Sequence, residues 1–106
     1  MLYNDTNFIT WAHDFFSALE NTSGISLVGD IVVNNGYFFN ISGVIIDPRQ
    51  TNTKYMANLF FSQKTILIHI SRLAGTTGSI VFEHKVDENV SILEVVSLFT
   101  KAIGFK

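Results

Sequence analysis

Three histidines, His13, His69 and His84, are the side chains best suited to proton transfer or metal ligation near neutral pH. Two of them have an acid nearby in the chain: Asp14 follows His13, Glu83 precedes His84, and Asp87 lies three residues beyond His84. General acid–base chemistry needs a pocket and a second oriented group, and a metal centre needs several ligands at a recurrent spacing. The spacing here matches no ligand motif. The chain has no Cys, which removes disulfides, thiolate nucleophiles and nearly every structural zinc site. If the segments around His69 and Glu83 pair as antiparallel strands with Ile70 facing Phe82, His69 lies beside Glu83 and the two can share a hydrogen bond. His84 then falls on the core-facing side, where a lone His near a strand end is more often structural than a ligand. A small enzyme or ligand carrier using His69 or His84 therefore stands as an alternative reading, with no cofactor or metal assigned.

Two other patterns invite a chemical reading. Gly75 and Gly78 resemble the ingredients of a phosphate cradle, but the segment lacks the Lys-Ser/Thr of a P-loop and opens a strand instead of a helix. It reads as a flexible Ala74–Gly78 connection. Tyr37, Phe38, Phe39, Tyr55, Phe60 and Phe61 are potential stacking surfaces for single-stranded nucleic acid. The matching cations are Lys54, Lys64, Arg72 and Lys85, with Asp30, Glu83 and Asp87 near them. A net charge of −2 gives no broad basic field, which argues against a nucleic-acid partner.

The elements that would position these groups are legible from periodicity. Over residues 7–20, Phe8, Ile9, Trp11, Ala12, Phe15, Phe16, Ala18 and Leu19 recur at helical spacing, with Asn7, Thr10, His13, Asp14, Ser17 and Glu20 on the opposite stripe. Asp5 or Thr6 is suited to cap this helix, and residues 21–24, Asn-Thr-Ser-Gly, end it. A second helix follows Ser91 and Glu94, which have capping-box spacing, with Val90 and Val95 at the staple positions. Its buried stripe is Ile92, Val95, Val96, Phe99 and Ile103, and Gly104 supplies a left-handed end onto which Phe105 can fold.

Between the helices the period is two. Strands are expected over roughly 25–33, 37–45, 54–61, 65–73 and 79–86. A three-residue loop containing Gly36 pairs odd positions with odd and keeps Asp30, Asn40 and Ser42 on one face; a two-residue loop would not. The expected architecture is a single α+β domain over residues 1–106. It has a five-stranded, mainly antiparallel meander sheet, with the N-terminal and C-terminal helices packed on one face.

The other sheet face carries the informative residues. Alternation places Val28, Val32, Phe38, Val44, Met56, Phe60, Leu67 and Val81 there, among Asp30, Asn40, Ser42, Asn58, His69, Glu83 and Lys85. A contiguous apolar patch on an unsheltered face marks an interaction surface; β-propensity alone also favours Val and Phe on strands. The polar loop from Asp47 to Lys54 adds Arg49 and Lys54 as partner-contacting groups. The candidate partner-binding residues are thus Val32, Phe38, Met56, Phe60, Leu67, Arg49 and Lys54.

Composition agrees with association. Hydrophobic residues are 47% of the chain, but charged residues are only 15%, against about 25% in typical soluble chains. Asn, Ser and Thr supply the polarity, and they tolerate partial burial without like-charge repulsion. Asn-X-Ser/Thr triplets at Asn4, Asn21, Asn40 and Asn89 follow from that abundance. No signal peptide or membrane-spanning run is read, so a cytoplasmic setting is expected. Residues with AT-rich codons far outnumber Gly, Ala, Arg and Pro, as in a phage or other AT-rich genome. The expectation is a non-catalytic protein-binding protein, an inhibitor, adaptor or assembly factor, that homodimerises through its sheet.

Overall fold

The computed structural model describes residues 5–35, 39–50, 53–62, 64–74, 77–87 and 89–104, the side chains of residues 5, 6, 74 and 77 excepted. The elements run α1 (Asp5–Ser23), β1 (Ser26–Asn35), β2 (Phe39–Asp47), β3 (Thr53–Phe61), β4 (Thr65–Ala74), β5 (Thr77–Asp87) and α2 (Ile92–Ala102). The five strands form one open antiparallel sheet in chain order. This is the α+β meander that periodicity implies.

Helix α1 buries Phe8, Trp11, Ala12, Phe15, Phe16 and Leu19 and leaves His13, Asp14, Ser17 and Glu20 exposed. It is longer than the 7–20 stripe. At its C-terminus the Thr22 and Ser23 hydroxyls donate to the carbonyls of Ala18 and Leu19. Gly24, at φ 74°, then closes the helix by donating its N–H to Glu20 O. That left-handed geometry favours glycine. The expected cap at Asp5 or Thr6 falls on side chains outside the described set.

Helix α2 ends as expected, with Gly104 at φ 80° and its N–H on Lys101 O. Its start differs from the sequence reading. Ser91 occupies the N-cap position in extended backbone but makes no side-chain capping bond. Ser91 and Glu94 are both exposed, so the capping box is replaced by packing: Val90 is half-buried on the core and Val95 is fully buried. Phe105 lies outside the described residues.

The core lies between the helices and one sheet face. It takes the odd-numbered strand residues Ile41, Ile45, Tyr55, Ala57, Leu59 and Phe61, and the even-numbered Ile66, Ile68, Ile70 and Val86 of β4 and β5. Phe8 stacks on Phe61 with ring centroids 4.6 Å apart, and Trp11 meets the same ring edge-on. At the other end Phe99 of α2 meets Tyr55 and Phe82 edge-to-face. Gly43 lets α1 approach the sheet: a Cβ there would lie 3.1 Å from the Phe16 ring and 2.7 Å from Leu27 Cδ1.

Candidate functional site

The register defines the face away from the helices in three complete rows across the sheet. One runs Asn34, Asn40, Phe60, Leu67, Lys85; the next Val32, Ser42, Asn58, His69, Glu83; the third Val28, Val44, Met56, Ser71, Ile80. Ile46 and Lys54 begin a fourth. The middle row is polar apart from Val32. Apolar side chains flank it near the sheet centre, half-buried at Val44, Met56, Phe60 and Leu67, while Asn34, Asn40 and Lys85 make the rest of one flanking row polar and Val28, Val32 and Ile80 are exposed at the sheet margins.

Two bulges shape this face. Val28 pairs with Val44 and Val32 with Ser42, so Gly29, Asp30 and Ile31 stand opposite Gly43 alone. Two extra residues leave the parity intact, and Gly29 takes φ 76° to make the bend. In β5, Phe82 faces Ile70 and Ile80 faces Ser71, leaving Val81 as one extra residue. A single insertion reverses parity. Val81 therefore packs toward the core, and Ile80, 57% exposed, takes the outer place that simple alternation gives to Val81.

Of the partner-binding candidates, Val32, Met56, Phe60 and Leu67 come together on this face, with Lys54 exposed at its end. Phe38 lies outside the described residues. Arg49 belongs to a turn bound to the helical layer. There Asp47 Oδ1 accepts the Arg49 backbone N–H at 3.0 Å, and Gln50 Nε2 donates to Ile103 O beyond α2. Thr53 closes the turn with backbone and hydroxyl bonds to Gln50 O. The described part of this loop is thus bonded back on itself and to the helical layer at Gln50, with Arg49 exposed; residues 51 and 52 lie outside the described residues.

Asp47 is fully buried, and its Oδ2 has no hydrogen-bond partner among the described residues. Beside it, the Tyr55 hydroxyl lies 3.5 Å from Gln50 Oε1. Burial, then the Asp47 carboxylate, raises the Tyr55 phenol above its ordinary value, and the Arg72 guanidinium pulls the other way.

The expected neighbours His69 and Glu83 are in register, and His69 Nε2 donates to Glu83 Oε2 at 2.8 Å. Phe60 stands edge-on to the His69 ring at 6.4 Å. This pair is on the open sheet face. His84 faces the other way, opposite Ile68 and against the Phe82 ring, and His13 is exposed on α1. Among the described residues no three His, Asp or Glu side chains gather as a metal site. A groove lined by Leu93, Val96, Ser97 and Lys101 and another by Lys85, Asp87, Asn89 and Glu94 do not include a histidine.

The aromatic residues divide. Tyr55 and Phe61 are buried and Phe39 lies tilted against Phe8, while Phe60 faces outward; Tyr37 lies outside the described residues. The cations do not converge either. Lys64 and Lys85 lie toward the β3–β4 turn, whereas Lys54 and Arg72 lie toward the opposite end of those strands. Of the segment read as a flexible connection, Ala74, Thr77 and Gly78 belong to the strands, with Leu73 paired to Gly78 and Ala74 to Thr77; residues 75 and 76 lie outside the described residues. No helix among the described residues is long and apolar enough to cross a membrane. Comparison with protein-family models, with curated proteins and with solved structures gives no match for this chain.

Proposed function

We propose that this chain is a non-catalytic protein-binding protein that self-associates through its open sheet face. What carries the reading is the placement of Val44, Met56, Phe60 and Leu67 in the middle of a face that neither helix shelters. Burying large apolar side chains contributes about 1.5–3 kcal/mol each. The two sheet edges are poor alternatives, because bulges interrupt both β1 and β5 and such interruptions discourage strand addition. An adaptor, inhibitor or assembly factor of the cytoplasm fits this surface, and the residue usage fits an AT-rich genome such as that of a phage.

The test is solution mass by light scattering across a dilution series. The unmodified protein is expected to be a dimer at micromolar concentration. Phe60→Asp removes two rings per dimer and introduces two carboxylates. At about 1.5–3 kcal/mol per ring, the dissociation constant rises by at least about a hundredfold, while the far-ultraviolet helical signal is retained. A monomeric unmodified protein overturns the self-association.

A further inference from the structure

We draw no further inference here: the strongest candidate, the groove between the end of α1 and α2 lined by Thr22, Ser23, Leu93, Val96, Ser97 and Lys101, mixes hydroxyls, aliphatic carbons and one ammonium, and nothing in the structure shows what covers it.

Discussion

Replacing Asp47 by Asn tests the electrostatics at the sealed end of the core. Tyr55 is 2% exposed, lies edge-on to Phe99 at 5.9 Å, and sits beside a fully buried Asp47. Its phenol is raised above 10.0, first by burial and second by Asp47. Removing the second cause lowers the Tyr55 titration midpoint but leaves it above 10.0, because burial remains. The stability consequence has a fixed sign. Below pH 10 the phenol is protonated in both folded and unfolded chains, so its contribution is fully present. As pH rises from 10.0 towards the higher folded value, the unfolded chain releases the proton first and stability falls. The slope reaches at most about 1.4 kcal/mol per pH unit for one proton. Phenolate absorbance in a Tyr3→Phe, Tyr37→Phe background reads the midpoint, and urea unfolding at successive pH values reads the slope. Tyr55→Phe should lose less than about 1 kcal/mol at neutral pH, since the bond to Gln50 is long, and should then fall less steeply than the unmodified chain above pH 10. An unchanged midpoint in Asp47→Asn, or parallel curves for Tyr55→Phe and the unmodified chain, would refute the reasoning.

Three further outcomes follow from packing and pairing. Gly43→Ala drives a methyl group towards Leu27 and the buried Phe16 ring and should cost about 1–3 kcal/mol, read as a lower urea midpoint at constant slope. Gln50→Ala removes the donor to Ile103 O and should cost about 1 kcal/mol, with faster amide exchange over the last turn of α2. Deleting Gly29 and Asp30 leaves Ile31 alone opposite Gly43, preserves parity and straightens β1. The variant should keep its circular dichroism but form larger, concentration-dependent assemblies by light scattering, and a size distribution like that of the parent would count against the bulge as a guard.

What could be read in advance depended on whether two signals agreed locally. The loop between β1 and β2 was decidable because three residues pair odd with odd, and Asn34 does face Asn40. His69 beside Glu83 followed from placing Ile70 opposite Phe82, which holds. The bulge at Val81 was not legible, since Ile80, Val81 and Phe82 are all apolar and carry no parity. Gly29 before Asp30 was a turn-forming pair that alternation passed over. Asp47 before Pro48 resembles a solvated turn, yet it is fully buried, in a turn whose Gln50 bonds Ile103, 53 residues away, a contact that no local pattern encodes. Ser91 and Glu94 have the capping spacing, but the spacing permits the bonds without enforcing them when both side chains face solvent.

The same features that obscured the register are the reason the proposed association uses the face and not the edge. An edge strand recruits partners through an uninterrupted ladder of unpaired amides and carbonyls. In β1 that ladder is broken at Gly29, Asp30 and Ile31, and in β5 at Val81, with Glu83 and Lys85 on the strand. The face has no such interruption at its centre, where β2, β3 and β4 pair without register shifts. Its polar row weakens association relative to a wholly apolar sheet, because each group must find a partner as it loses water. The same row makes sliding costly: a partner displaced by a single row sets the Asn58 amide against an apolar neighbour of its own strand, Met56 or Phe60, and leaves it unpaired. An apolar face would tolerate many registers, whereas this one tolerates few, which is the property a finite assembly needs.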